Sequence, residues 1–172
     1  MRLGLFGGSF NPVHSGHVGI AEKAIAELRL DRLLVIPAAV SPFKAGRRRV
    51  LTFEPEFRFA LVRAAFAGMD KVCVDDRELR RGGVSFAIDT VREVFSENPG
   101  AEIFFLLGED SVEGLPYWKD YDELQRLCTF KSFPRTRESS TAVRRRISAG
   151  KPIDDLVPDA VARMIAEHVA QV

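Results

Sequence analysis

The chain has 172 residues, 46% hydrophobic and 28% charged, with a formal net charge of +1 at pH 7. That length supports one domain, residues 1–172, with a proper core, and the near-zero charge leaves no global field toward nucleic acid or a membrane surface, so any anion site is local. The two cysteines, Cys73 and Cys128, stand far apart in apolar stretches, which excludes a disulfide framework or a CxxC site and reads as buried, inert thiols.

In chain order, residues 3–6 (LGLF) read as a buried strand. From Ser15, the residues Val18, Ala21, Ile25 and Leu28 fall at helical spacing. Residues 33–36 form a second strand stopped by Pro37, and 38–51 read as a loop. Residues 55–67 show helical periodicity, and 72–74 a short strand. RRGGVS reads as a turn, followed by a helix through Ile88, Val91 and Val94 that Asn98-Pro99-Gly100 terminates. Residues 103–107 are the most apolar strand. Residues 121–127 read as helix and 128–133 as extended. Ser139 or Ser140 caps a helix through Ile147, and a last helix starts near Pro158.

Strands alternating with helices of this length predict βαβ units and a parallel sheet, an α/β fold with C-terminal helices. Ligands of such sheets bind beyond the carboxyl ends of the strands, at a topological switch point. The N-terminus has no secretory h-region. The longest apolar run, 33–40, is far short of a membrane span and contains a proline. A soluble, cytoplasmic protein is expected, with no membrane and no nucleic-acid partner. Arg47-Arg48-Arg49 and Arg80-Arg81 read as solvated faces.

The densest chemistry lies in GGSFNPVHSGH, residues 7–17, which holds two of the three histidines. Glycines just after a first strand let backbone approach a ligand closely. A helix N-terminus adds unpaired amides and a positive dipole end, so the pair makes a phosphate site. The glycine spacing is neither GxGxxG nor Walker A. His14 and His17, three apart at a helix start, can face one anion. Zinc is the weaker reading because no third ligand is evident, so no metal site is assigned.

This string resembles the HxGH signature of nucleotidyltransferases and, in detail, that of the bacterial nicotinate mononucleotide adenylyltransferases. The resemblance continues collinearly through PAAVSPFK at 37–44, ELRRGGVSFAIDT at 78–90, GEDS at 108–111, Trp118 in LPYWKDYDEL, and SSTAVR at 139–144. It implies a Rossmann-like doubly wound parallel sheet of the nucleotidyltransferase type. It further implies adenylyl transfer from ATP to nicotinate mononucleotide in NAD biosynthesis, with Mg²⁺ accompanying ATP. His14, His17, Lys44 and Arg144 would be catalytic. Gly7, Gly8, Ser9, Phe10, Gly108, Asp110, Ser140 and Thr141 would join His14, His17 and Arg144 around ATP. Lys44, Ser85, Phe86, Ala87, Trp118 and Arg135 would meet the acceptor. Family members are often homo-oligomers; no self-association surface stands out in this sequence. Taken without the resemblance, Lys44 reads as a surface lysine, Asp110 as a turn cap and Trp118 as a core residue.

The chain also departs from the family pattern. Ser85-Phe86-Ala87 stands where the family has SYT, Glu138 and Glu109 replace smaller or apolar residues, and Pro134-Arg135-Thr136-Arg137 leads almost directly into Ser139. The nucleotide half is intact and the acceptor half altered. Two other readings therefore stay open: an adenylyltransferase for another phosphate ester, such as nicotinamide mononucleotide or phosphopantetheine, and a non-catalytic nucleotide-binding module.

Overall fold

In a computed structural model of the chain the described residues are 1–42 and 52–171, so Lys44 and Arg47-Arg48-Arg49 lie outside them. The elements are β1 (Arg2–Gly8), α1 (Ser15–Glu27), β2 (Arg32–Pro37), α2 (Pro55–Phe66), β3 (Val72–Val74), α3 (Arg77–Arg81), α4 (Ala87–Glu97), β4 (Glu102–Gly108), α5 (Tyr121–Leu127), β5 (Thr129–Phe133), α6 (Ser140–Ser148) and α7 (Asp159–Ala170). Two single 3₁₀ turns, Glu109–Ser111 and Leu115–Tyr117, follow β4.

The five strands form one sheet in the order β3-β2-β1-β4-β5, and every pairing is parallel. The chain winds outward from β1 through β2 to β3, then returns to place β4 on the other side of β1. This is the predicted doubly wound topology, and the switch point falls between β1 and β4.

The near-continuous apolar strands follow from burial on both faces. Along β4, Phe104 and Leu106 join Phe6, Leu33 and Val35 in the core under α1, α2, α6 and α7. Their neighbours Ile103, Phe105 and Leu107 join Leu5, Leu34 and Ile36 in the core under α4 and α5. Side chains of successive strand residues alternate between the two layers, as the pleat requires. Gly4 faces the first layer, where a Cβ would lie 2.6 Å from Leu30 Cδ1 and 2.7 Å from Leu33 Cδ1.

The glycine pair lies within the first strand rather than just after it. Gly7 and Gly8 are the last residues of β1, in register with Ile36 and Pro37 of β2. Pairing with a central parallel neighbour overrides the weak strand preference of glycine. The turn begins after them, at Phe10, whose φ of 42° is left-handed. A Cβ on Gly8 would stand 3.2 Å from the Phe10 ring, so glycine there lets that ring fold back into the core.

The short α3 is an element that periodicity did not reveal, because five residues are too few to display a period. It also changes the reading of Arg80-Arg81. Arg80 pairs with Asp76 at 2.7 Å on the surface, a solvated face as expected. Arg81 instead reaches Glu93 at 2.8 Å and donates to Thr90 Oγ1 at 3.3 Å, tying α3 to α4. Cys73 is half-buried and Cys128 buried, and both are free. Burial pushes the Cys128 thiol up to about 12, which keeps it protonated and unreactive.

Candidate active site

A cavity of about 780 Å³ opens at the carboxyl ends of β1 and β4, where the switch point places a ligand and within the size range of small-molecule sites. One wall is the end of β1 with Gly7, Gly8 and Ser9, followed by His14 and His17. His14 is the N-cap of α1, with φ −141° and ψ 169°. Its backbone N–H donates to His17 Nδ1 at 3.1 Å. That bond places the proton of a neutral His17 on Nε2, making the far side of the ring a donor. The two imidazole centroids lie 3.7 Å apart, and the Phe10 ring supports His17 from below at 4.9 Å.

His14 is 7% exposed, and its Nδ1 has no hydrogen-bond partner among the described residues. Burial lowers its pKa from 6.5 to about 4, opposed by Glu138 nearby. Between pH 6.5 and 4 the unfolded chain takes up a proton at this imidazole and the folded chain does not. Stability contributed by the neutral ring is therefore lost as pH falls through that window, by up to about 3 kcal/mol. Urea unfolding midpoints of the wild type should fall steeply from pH 6.5 to 4, and His14→Gln should flatten that slope; an unchanged slope in the variant contradicts this account.

The opposite wall is the start of α6. Ser139 is its N-cap, its Oγ accepting the Ala142 N–H at 3.1 Å. Ser140 Oγ donates to the Pro12 carbonyl at 2.8 Å. Arg144, one turn on, donates from a terminal nitrogen to the Asn11 carbonyl at 2.7 Å and from the other to Thr141 Oγ1 at 3.1 Å. Burial lowers the Arg144 pKa from its usual value. Helix α6 is thereby stitched to the histidine loop, and two positive helix ends converge on one space.

Gly16 allows the closure. A Cβ there would lie 2.1 Å from Thr136 Oγ1 and 3.0 Å from His14 Nδ1. The short segment between β5 and α6 thus runs directly over the start of α1. At the end of β4, a Cβ on Gly108 would meet Asp110 Oδ1 at 2.7 Å, so glycine makes room for that carboxylate beside the cavity.

The far end of the cavity is aromatic. Trp118 is half-buried, its ring edge-on to Phe105 at 5.6 Å and to Phe130 at 6.1 Å. Phe86 and Ala87 stand at the start of α4, and Ser85 Oγ accepts the Ala39 N–H at 3.0 Å. Lys119 holds its ammonium 4.7 Å from the Phe86 ring centroid and 3.6 Å from Asp89 Oδ2.

A family model described as cytidylyltransferase-like matches residues 5–163. A protein of Gemmatimonas aurantiaca is 40% identical over 96% of this chain and 90% of its own length, and one of Shouchella clausii is 39% identical over 97% and 95%. Both are assigned as nicotinate-nucleotide adenylyltransferases. The chain belongs to that family.

Among solved structures, a Vibrio parahaemolyticus protein assigned as a nicotinate-nucleotide adenylyltransferase superposes with a TM-score of 0.80 at 21% identity, covering 96% of this chain and 99% of that one. The Plasmodium falciparum nicotinic acid mononucleotide adenylyltransferase, complexed with NaAD, gives 0.76 at 14% identity, covering 97% and 95%. At these identities the likeness is one of fold, and the fold is that of the nicotinate-nucleotide adenylyltransferases.

Within this family member, the cavity gathers residues that the sequence places far apart: Gly7, Gly8 and Ser9 from β1 and its exit, both histidines, Gly108 at the end of β4 and Asp110 just after it, and Ser140, Thr141 and Arg144 from α6. The acceptor candidates Ser85, Phe86, Ala87, Trp118 and Arg135 line it too. Two expected residues stand apart. Phe10 is 2% exposed, and its ring packs in the core against Phe6 rather than lining the cavity. Lys44 lies outside the described residues. Trp118 is neither a core residue nor a fully exposed one; it forms a wall.

Glu78 and Lys119 are among the lining residues that the sequence did not single out. Glu78 is 7% exposed, its carboxyl accepting from Thr90 Oγ1 at 2.6 Å, and burial raises its pKa. Glu78 and Thr90 sit inside the ELRRGGVSFAIDT match, which was the available signal. Lys119 directly follows the single tryptophan. Asn11, inside the GGSFNPVHSGH string, acts through both its backbone carbonyl, which accepts from Arg144 at 2.7 Å, and its Oδ1, which accepts the Phe53 N–H at 2.9 Å.

Proposed function

We propose that this chain transfers the adenylyl group of ATP to nicotinate mononucleotide, releasing pyrophosphate and forming deamido-NAD. The observation that carries the reading is one cavity whose two ends match the two substrates. The donor-rich end, with the Arg144 cation, the imidazoles of His14 and His17 and two helix N-termini, suits a triphosphate. The aromatic end, with Trp118, Phe86 and the Lys119 ammonium, suits a flat, anionic ring.

The reaction joins two phosphates directly. A phosphate oxygen of the mononucleotide attacks the α-phosphorus of ATP; a bond forms between that oxygen and the α-phosphorus, and the bond from the α-phosphorus to the α,β-bridging oxygen breaks in line as pyrophosphate leaves with that oxygen. The attacking oxygen is already anionic, so no protein nucleophile is required. Catalysis is positioning and charge stabilisation. His17 donates from Nε2 to phosphate oxygens as negative charge builds. Arg144, already fixed by the Asn11 carbonyl and Thr141, adds a rigid planar cation. A bound triphosphate beside His14 favours its charged form, opposing the effect of burial. The family resemblance alone assigns Lys44 to the phosphates as well. Mg²⁺ enters with ATP as part of the substrate, held chiefly by triphosphate oxygens and water, as this cation commonly is. Gly108 and Asp110 are assigned to the ribose of ATP.

Acceptor choice tests the reading. Pyrophosphate release with MgATP should be fast with nicotinate mononucleotide and at least tenfold slower, as kcat/KM, with nicotinamide mononucleotide or phosphopantetheine. Lys119→Gln should lower kcat/KM for the nicotinate substrate roughly tenfold, mostly through KM, since a hydrogen bond to a charged group contributes about 1.5 kcal/mol. The nicotinamide substrate should lose much less. Equal losses for both acceptors would remove Lys119 from carboxylate recognition. Preference for another ester would keep the chemistry and replace the substrate.

A further inference from the structure

Arg58 lies in α2, does not line the cavity, and is 4% exposed. Burying a guanidinium is costly unless its donors are satisfied. Backbone carbonyls satisfy this one. Its Nε donates to Phe53 O at 3.2 Å, and its two terminal nitrogens donate to Ser9 O at 2.6 Å and Ala39 O at 3.2 Å. Among the described residues, the charges of Glu54 and Glu56 act on it only through space, so it remains a buried cation with no carboxylate bonded to it.

Those carbonyls belong to three different segments: the phosphate-cradle loop at Ser9, the exit from β2 at Ala39, and the entry to α2 at Phe53. A cradle attracts phosphate only when its N–H groups face the anion and its carbonyl oxygens are turned away. The Gly8 oxygen accepts the Ala38 N–H at 2.8 Å, and the Ser9 oxygen is taken by Arg58. Both oxygens are thereby drawn into the protein. The same web reaches Arg144, because the Phe53 N–H donates to Asn11 Oδ1 at 2.9 Å while the Asn11 carbonyl accepts from Arg144 at 2.7 Å.

We propose that Arg58 is a positioning residue for the ATP half of the site: it holds the Ser9 carbonyl inward, fixes the phosphate cradle against β2 and α2, and keeps a positive charge behind it. This inference rests on the adenylyl-transfer reading.

Arg58→Lys and Arg58→Met test it in the full chain, with thermal melting, equilibrium binding of MgATP, and steady-state kinetics in both substrates. Lysine keeps the charge but lacks the planar fork that spans three carbonyls. Arg58→Lys should fold, raise KM and Kd for MgATP tenfold or more, lower kcat, and leave KM for nicotinate mononucleotide within twofold. Arg58→Met, where it folds, should lose more. MgATP parameters within twofold of wild type in Arg58→Lys overturn the proposal. So do equal losses toward both substrates, and so does failure of Arg58→Lys to fold, since each marks a role in general stability. A wild-type chain that binds MgATP but adenylylates no acceptor would overturn the adenylyl-transfer reading instead.

Discussion

His17→Ala is expected to lower kcat for adenylyl transfer about 100- to 1,000-fold, the usual cost of removing one preorganised donor to a developing charge. The effect should fall on kcat more than on KM for MgATP, because the Nε2–H is needed most when charge accumulates on the α-phosphate oxygens. The geometry makes His17 such a donor: its Nδ1 accepts the His14 N–H at 3.1 Å, and the Phe10 ring fixes its tilt from 4.9 Å. The variant also loses that aromatic contact, so thermal melting separates a lost donor from a lost fold. His17→Gln, whose side-chain amide can donate, should recover part of the rate. A kcat within fivefold of wild type in a folded His17→Ala would remove His17 from the chemistry.

The second large effect comes from a methyl group. Gly16→Ala is expected to destabilise the chain by about 1–3 kcal/mol, the range for overpacking a close contact, and to lower kcat/KM at least tenfold by shifting His14. The added Cβ would meet Thr136 Oγ1 at 2.1 Å and Thr136 Cβ at 2.9 Å, and Thr136 Oγ1 is itself held, donating to the Glu138 carbonyl at 3.1 Å. Thr136→Gly removes the obstructing side chain. The double variant should regain most of the lost stability, a coupling that a double-mutant cycle in urea reads directly. Additive losses from the two substitutions would show that the loop before α6 does not press on the start of α1 as described.

Much of this architecture was legible in the residues. The strands that became the sheet are short apolar runs bounded by Pro37, Asn98-Pro99-Gly100 and Gly108, and both-face burial explains why they lack alternation. The α1 and α6 starts were legible because Ser15 and Ser139 stand just ahead of periodic apolar residues; Ser139 is the N-cap of α6, while in α1 the cap is His14 and Ser15 is the first helical residue. Sequence patterns did not show how the segments are held together. Arg58 reads as an ordinary charged helix residue until its three carbonyl partners, distant in sequence, are seen. Phe10 sits within the signature string, which suggested ligand contact, yet its left-handed backbone and the open space at Gly8 send the ring into the core. The glycine pair likewise reads as following the first strand, and the β2 ladder makes it that strand's end. Such outcomes depend on tertiary neighbours rather than on local preference.

The most direct test of the central claim follows the phosphorus itself. Purified chain would be incubated with Mg²⁺, nicotinate mononucleotide and ATP labelled at the α-phosphate, and the label traced among dinucleotide, AMP and protein. The account predicts label in deamido-NAD, one for one with pyrophosphate released, and none on the protein. Label retained on the protein would contradict direct attack by the acceptor, and bound ATP with no labelled dinucleotide would contradict adenylyl transfer to this substrate.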